Sequence, residues 1–488
     1  MAPVHGVKTI TTNVGWSVLS KTATFGLKFV TVPILARLLS PEEFGVVAVA
    51  LTVVQFLAMI GGAGLTAALI MQHDADEETV HSVFWANLCM ALLMSVCLYA
   101  WAAPLGSLMG AAESAPLLQV MALLIPLQLA GDVAYTLLAK RMNFSKDAMW
   151  STISESVAAI VAVGMAYLGF GIWALVTQLF CSALIRLMGL YSAARYLPLP
   201  VIRPRKLTPL LGFSSGVMGS EIANFVTFQS PMIIIARLLG LADAGAYSVA
   251  NRFASIPNQV VLTAVMGVLF PAFSHMGEDR KRRSEALMLS TQVTTVLLAP
   301  AMFGLWAVAE PAMRVIFGPA WAHAWPVLGL LALAKGIITP CSTFIPYLKG
   351  TGHGRALFWS AVIRAIVTTG AVALAAWYGT LVDAIIALCV VNAATLVGYS
   401  WAVFRVDNIP FFIGLLATSR SMINAMIMAV CVRISLTSLQ ARLDNDYYEL
   451  AVGAVIGAMI YGALLLLTER PLLRKLLQLV RTRNAVAA

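Results

Sequence analysis

Long apolar runs separated by short polar segments follow one another along the whole chain. Each run is about 20 residues long, the length that an α-helix needs to cross the hydrocarbon core of a bilayer. The pattern predicts an all-α integral membrane protein with about fourteen transmembrane helices, at residues 13–35, 44–71, 83–109, 117–139, 150–169, 172–194, 209–235, 244–273, 287–309, 323–348, 356–377, 381–404, 411–435 and 447–468.

Two stretches of the chain, 200 residues apart, have almost the same sequence. Residues 34–39 read ILARLL and residues 234–239 read IIARLL, and Gly45 then matches Gly245. This period contains six predicted helices, an even number, so the two halves have the same orientation in the membrane. We predict two pseudo-symmetric six-helix lobes around a central cavity, residues 1–206 and 207–405, followed by two helices and a basic tail in residues 406–488.

The composition supports a membrane location and gives an orientation. Hydrophobic residues make up 60% of the 488 positions and charged residues only 11%, against about 25% charged in soluble proteins. Most Lys and Arg residues fall in the segments that lie on the N-terminal side of the membrane, which predicts that both termini are cytoplasmic. The net charge of +10 is explained by a basic face on anionic lipid, so no nucleic-acid partner is predicted.

The C-terminal segment 471–484 has apolar residues at helical spacing and basic residues on the opposite side. Such a pattern is typical of a helix that lies on the inner leaflet. A frayed basic tail is an equally good interpretation of the same residues.

The predicted first helix carries one continuous polar stripe. Its members recur at intervals of three or four residues, so they share one face: Asn13, Ser17, Lys21, Thr24, Lys28 and Thr31. A charge near the bilayer centre costs roughly 2.5–3.5 kcal/mol. We therefore expect this face to contact water or a polar ligand.

The second half contains matching polar positions. At the 200-residue offset Lys21 corresponds to Glu221 and Thr24 to Asn224. A Lys21–Glu221 contact would be either a gate or a structural ion pair, and Glu221 is the candidate for ion coupling. With the polar residues of the predicted eighth and tenth helices, the predicted substrate-binding set is Ser17, Lys21, Thr24, Lys28, Asn224, Arg252, Gln259 and Lys335.

The remaining intramembrane charges lie within about two turns of a predicted cytoplasmic end, where long side chains reach the headgroups. They are Asp132, Glu155, Arg186, Arg364 and Arg420. Together the intramembrane charges are net positive, which favours an anionic substrate such as a pyrophosphate headgroup. The chain has no GxxxxGK[ST] loop, no CxxC pair and no HExxH motif, so neither a cofactor nor a metal is predicted.

Several segments of the chain resemble the polysaccharide transport family of oligosaccharide flippases. The similar segments are Gly15-Trp16, LARLLSPEEFGVVAVA at 35–50, Gly64-Leu65, LLAKRMNF at 137–144, GFGIWAL at 169–175 and ARLLGLADAGAYSVANR at 236–252. This family belongs to the multidrug/oligosaccharidyl-lipid/polysaccharide exporter superfamily. The resemblance implies a two-lobed helical fold and no enzymatic activity.

The same resemblance implies the substrate and the location. The substrate would be an undecaprenyl-pyrophosphate-linked oligosaccharide, moved from the inner to the outer leaflet of a bacterial inner membrane for polysaccharide synthesis. Transport would proceed by alternating access coupled to an ion gradient, with a proton or sodium ion as the candidate. A polysaccharide polymerase and assembly proteins are the candidate protein partners.

Two other functions remain open at the level of sequence. A multidrug exporter of the same superfamily would hold organic cations and would be expected to have an acidic cavity. A membrane polymerase or ligase of lipid-linked sugars would need a catalytic acid or base on an outer loop, and the predicted outer loops are short.

Overall fold

The regular secondary structure is helical throughout the part of the chain that the structure, a computed structural model, describes. The described residues are 24, 26–62, 64–71, 76–110, 114–141, 143–274, 280–351, 353–407, 411–439, 445–470 and 472. Eleven helical stretches in these ranges are long and apolar enough to cross a membrane, two of which join consecutive elements: Ala115–Lys140 and Pro319–Ile338. The larger count of fourteen spans stays a prediction.

The helices of the first half have the following bounds. They are α1 at residues 26–38, α2 Pro41–Gly62, α3 Leu65–Met71, α4 Glu77–Ala100, α5 Ala102–Leu108, α6 Ala115–Met121, α7 Leu124–Lys140, α8 Phe144–Tyr167 and α9 Ile172–Ala194.

The second half continues with longer helices and one irregular stretch. The elements are α10 Pro204–Leu238, α11 Leu241–Ser274, α12 Arg280–Ala307, α13 Ala309–Ala312, a π-turn Met313–Phe317, a 3₁₀ segment Pro319–Ala324, α14 Trp325–Ile338, α15 Cys341–Gly350, α16 Gly354–Tyr378, α17 Leu381–Asp407, α18 Phe411–Leu439 and α19 Asp446–Thr468.

Four of the predicted apolar runs are divided between consecutive helical segments. The run 44–71 divides into α2 and α3 next to Gly64, whose φ of +66° is incompatible with continuing a right-handed helix. The run 83–109 divides into α4 and α5, and the run 117–139 divides into α6 and α7. The run 323–348 contains the end of the 3₁₀ segment, then α14 and α15. Hydrophobicity alone does not reveal such breaks, because the residues on both sides remain apolar.

Side-chain caps set the start of several helices. At the start of α2 the Ser40 N–H donates to the Glu43 carboxylate at 2.7 Å, and the Glu43 N–H donates to the Ser40 hydroxyl at 3.3 Å. This reciprocal arrangement is a capping box, which satisfies two backbone donors that the first turn leaves without partners. Asp76 caps α4 by accepting from the Thr79 N–H at 3.3 Å.

The two copies of the sequence repeat contact each other in space. A Cβ atom on Gly45 would lie 1.9 Å from the Leu241 carbonyl oxygen, and one on Gly245 would lie 1.8 Å from the Pro41 carbonyl oxygen. Leu241 and Pro41 are themselves 200 residues apart, so the contact is reciprocal. The N-terminal ends of α2 and α11 therefore cross with their backbones touching, as a pseudo-twofold relationship requires.

The chain forms two compact units. The first comprises residues 1–256 with 357–387, and the second comprises residues 257–356 with 388–488. In the first, α4, α7 and α9 enclose a core that includes Val83, Val133 and Leu190. In the second, α12, α18 and α19 enclose a core that includes Phe303 and Val432. The division into lobes at residues 206 and 405 stays a prediction, and the basic segment 473–488 lies outside the described residues.

The linker between α9 and α10 is bound to the first turns of α4. The Leu199 N–H donates to His81 Nδ1 at 3.2 Å, and the Trp85 indole N–H donates to the Leu199 carbonyl at 2.7 Å. The Arg203 N–H donates to the Ser82 hydroxyl at 2.9 Å. These bonds satisfy backbone groups of an irregular segment, so the linker has a defined path beside α4.

Charged groups at the start of α10 strengthen this attachment. The Lys206 ammonium donates to the carboxylates of Asp76 and Glu78, the latter at 2.8 Å. The hydrogen bond that Asp76 accepts from Lys206, followed by the one from Thr79, lowers the pKa of Asp76 to about 2. The same contacts raise the pKa of Lys206 above its ordinary value.

Candidate functional site

The contact between the N-terminal part of α1 and α8 is polar. The hydroxyls of Thr24 and Thr152 lie 3.3 Å apart, and one turn further along each helix the Lys28 ammonium lies 3.2 Å from the Glu155 carboxylate. The spacing of four residues on α1 and three on α8 places both pairs on facing sides of the two helices. The two helices therefore meet through a hydrogen bond and an ion pair.

A second cation from α11 belongs to the same group. The Arg252 guanidinium is close enough to Glu155 for a favourable Coulombic interaction, and Arg252 is exposed. The rings of Phe29 and Phe253, the chain neighbours of Lys28 and Arg252, stack with centroids 4.9 Å apart. This aromatic contact joins α1 to α11 beside the ion pair, and we refer to Lys28, Glu155 and Arg252 as the charge cluster.

Glu155 lies farther from the start of its helix than the sequence analysis placed it. Because α8 begins at Phe144 rather than near residue 150, Glu155 is the twelfth of its 24 residues, about 16 Å along the helix axis from its start. Arg364 is likewise ten residues past the start of α16. The depths of Glu155 and Arg364 relative to the headgroups stay predictions.

Glu155 is the residue of this cluster that the sequence analysis did not select. Its signal lay in the start of α8, where Asn143 precedes Phe144 and Asp147 occupies the first turn, a typical helix N-terminus. Starting the helix there would have placed the carboxylate in the middle of the span.

The other predicted site residues lie in different places. Glu221 and Asn224 are exposed on α10, Gln259 is exposed on α11, and Lys335 is half-buried in the last turn of α14. Thr24 is buried, and its hydroxyl contacts Thr152, so in this conformation it packs between helices. Ser17 and Lys21 lie outside the described residues, and so does the proposed Lys21–Glu221 contact.

The second half contains an equivalent contact with different chemistry. The sequence Trp-Ser at 150–151 recurs at 359–360, and at this offset Glu155 corresponds to Arg364. At the 200-residue offset of the first repeat, Lys28 corresponds to Phe228. The Arg364 guanidinium lies over the Phe228 ring at 5.3 Å from its centroid. The ion pair of the first half is thus replaced by a cation–π contact between the corresponding helices.

Two further charges of the first unit form a separate pair. The Arg186 guanidinium donates to the Asp147 carboxylate at 3.2 Å and lies over the Tyr135 ring. This contact joins α9 to the first turn of α8, away from Glu155. Among the residues that the structure describes, no three His, Cys, Asp or Glu side chains come together as metal ligands would.

Comparisons with known proteins give matches over most of the chain. Residues 34–326 match the model of the family described as "Polysaccharide biosynthesis protein". Over 488 residues the chain is 67% identical to the succinoglycan biosynthesis transport protein ExoT of Rhizobium meliloti (strain 1021), covering 100% of this chain and 99% of that protein. It is also 24% identical over 320 residues to the lipopolysaccharide biosynthesis protein WzxC of Escherichia coli (strain K12), which covers 65% of each chain.

The fold is similar to that of a solved structure. The lipid II flippase MurJ, in an inward closed conformation, aligns with a TM-score of 0.75 and 16% identity, covering 94% of this chain and 99% of that chain. At this identity the similarity establishes the helical architecture and not the substrate.

Proposed function

The chain belongs to this family of polysaccharide biosynthesis proteins, and from that premise we propose that it moves lipid-linked oligosaccharide units across a membrane. It is a multi-pass membrane protein and a transporter rather than an enzyme. The similarity to ExoT over both full lengths supports a role in the export of an extracellular polysaccharide.

The observation that carries the proposal is the charge cluster. Lys28 pairs with the Glu155 carboxylate at 3.2 Å, the Arg252 guanidinium also interacts electrostatically with that carboxylate, and both basic residues are exposed. Charged groups within a transmembrane helix bundle are costly unless they serve a polar ligand or water. An excess of cations suits the phosphate oxygens of a lipid diphosphate, to which Lys and Arg donate charge-assisted hydrogen bonds.

The finer features of the transport cycle are part of the same proposal. The substrate is an undecaprenyl-pyrophosphate-linked repeat unit, moved across a bacterial inner membrane by alternating access, with both termini in the cytoplasm. Four basic residues hold the diphosphate or acidic sugars: Lys21, Lys28, Arg252 and Lys335. Four polar residues form hydrogen bonds to the same groups of the substrate: Ser17, Thr24, Asn224 and Gln259. Thr24 reaches the substrate only when α1 moves away from α8.

Ion coupling is assigned to the α10 carboxylate. Glu221 is exposed at the position that matches Lys21 in the repeat, so their contact would form and break as the transporter changes conformation. A proton or sodium ion is the proposed coupling ion. A polysaccharide polymerase would receive the translocated unit.

A multidrug exporter of the same superfamily is less well supported. Organic cations bind where carboxylates outnumber bases, whereas the cluster around Glu155 has two bases for one acid. The relatives reported above have names that refer to polysaccharide or lipopolysaccharide synthesis.

The experiment replaces one basic residue at a time in a strain that lacks the gene. Lys28→Ala and Arg252→Ala are expected to abolish polysaccharide export, with lipid-linked oligosaccharide accumulating on the cytoplasmic leaflet. Lys146→Ala is the matched control, because Lys146 is an exposed lysine in the first turn of α8. Normal export in both test variants, at wild-type protein levels, would exclude the proposed binding site.

A further inference from the structure

The protein leaves the Lys28–Glu155 ion pair partly exposed. The Lys28 side chain is 47% exposed and the Glu155 side chain 22% exposed. A fully enclosed ion pair is fixed, because breaking it leaves an uncompensated buried charge. A pair that the protein encloses only in part can exchange partners at a lower cost, because its groups are open to an incoming ligand.

The charges of the cluster do not balance within the described residues that form it. One carboxylate faces the Lys28 ammonium at 3.2 Å and also interacts with the Arg252 guanidinium. A diphosphate carries more negative charge than one carboxylate and offers several acceptor oxygens in place of two. An incoming diphosphate therefore satisfies both cations better than Glu155 does.

The second half shows that packing of these helices does not require an acid. At the position equivalent to Glu155, Arg364 packs over Phe228, and beside it the Thr369 hydroxyl donates to the Ser230 hydroxyl at 2.9 Å. The equivalent helices α10 and α16 thus meet through neutral and cation–π contacts. The carboxylate in α8 consequently has a role other than holding two helices together.

We propose that Glu155 is an internal counter-anion, which holds Lys28 and Arg252 while the transporter is empty and gives them up to the diphosphate of the substrate. This inference rests on the proposed function and adds a specificity device to it. A ligand with a weaker charge, such as a monophosphate, displaces the carboxylate less readily than a diphosphate does, so the site favours diphosphate lipids. Release of Lys28 also removes the ion pair between α1 and α8, which frees α1 to move when substrate is bound.

The test measures binding of short-chain lipid phosphates to the purified full-length protein. The probes are farnesyl diphosphate and farnesyl monophosphate, and their binding is measured by isothermal titration calorimetry at fixed ionic strength. In the wild type, the diphosphate is expected to bind at least about tenfold more tightly than the monophosphate. In Glu155→Gln both probes are expected to gain affinity, the monophosphate by about tenfold or more, so that the preference for diphosphate shrinks.

A second pair of variants protects the test against a folding defect. Glu155→Asp keeps the charge but withdraws it by one methylene, and it is expected to give a smaller gain in affinity than Glu155→Gln. Lys28→Met is expected to weaken diphosphate binding by about tenfold or more. Lys146→Met, at the exposed start of α8, the helix that carries Glu155, is the control and is expected to bind both probes like the wild type.

The outcomes separate this inference from the proposed function. If Lys28→Met loses diphosphate binding while Glu155→Gln and Glu155→Asp bind both probes as the wild type does, or more weakly, Glu155 is a structural partner and the inference is wrong. If neither the wild type nor any variant binds diphosphate, and Lys28→Ala still exports polysaccharide, the proposed function itself fails.

Discussion

Gly45 and Gly245 bring the backbones of α2 and α11 together, because a carbonyl oxygen of the other helix lies where a side chain at each glycine would begin. The backbone nitrogen of each residue is 3.1 Å from the position of a Cβ atom on the other. Because the residues occupy equivalent positions in the repeat, one contact restrains both halves. The aromatic stack of Phe29 on Phe253 and the hydrogen bond from Gln229 to Gln55 at 3.1 Å join further helices of the two copies within the first unit.

Alanine at either glycine is expected to destabilise the protein strongly. A methyl group on Gly45 or Gly245 would overlap a carbonyl oxygen at less than 2 Å, and backbone must move to relieve it, at a cost of about 2 kcal/mol or more. The measurement is the midpoint of thermal unfolding of the detergent-solubilised protein. Gly164→Ala is the matched control, because nothing lies within 4 Å of a Cβ there and alanine favours the helix by about 0.5–1 kcal/mol. Equal midpoints for Gly45→Ala and the wild type would contradict the contact.

The two halves provide a second matched comparison at Gly189 and Gly398. A Cβ atom on Gly189 would lie 2.2 Å from the Trp150 side chain, whereas nothing lies within 4 Å of one on Gly398. We expect Gly189→Ala to lower the unfolding midpoint, since the indole has to leave its place against α9, and Gly398→Ala to leave it unchanged or raise it slightly. The double variant Trp150→Leu with Gly189→Ala should be less destabilised than the sum of the single changes, because the clash is absent. Additive effects would show that the two side chains do not compete for space.

The attachment of the α9–α10 linker is expected to depend on acid. Because the pKa of Asp76 is lowered to about 2, its pairing with Lys206 is fully present above the ordinary Asp value of about 4 and is lost as the pH falls toward 2. Pepsin, which is active in this range, can report the change by cleaving near Leu197 and Leu199. Relative to Asp76→Asn at each pH, the wild-type linker should be protected at pH 4 and lose that protection by pH 2.

A control for general acid unfolding is available in the adjacent residue. Glu77 is exposed in the first turn of α4, and Glu77→Gln is expected to follow the wild-type cleavage profile. If Asp76→Asn were protected as well as the wild type at pH 4, the ion pair would not hold the linker.

The sequence predicted the order of the helices but not all of their ends. The repeat and the apolar runs depend on composition and spacing, which the amino-acid sequence contains directly. The breaks next to Gly64 and between α6 and α7 depend on backbone conformation within apolar stretches, and hydropathy is nearly the same on both sides. The start of α8 was placed six residues late for a related reason, because polar residues in the first turns of a helix resemble a loop in composition.

Periodicity by itself determined that the helix containing Lys28 has a polar face and that the helix containing Arg252 carries an intramembrane cation. Only the tertiary structure decided which face meets which helix, since Lys28 and Glu155 are far apart in sequence and contact at 3.2 Å. A spacing of three or four residues shows which side chains share a face of a helix. Which helix packs against that face depends on the packing of many helices. The sequence analysis thus identified the two basic residues, and the structure identified the carboxylate that pairs with Lys28.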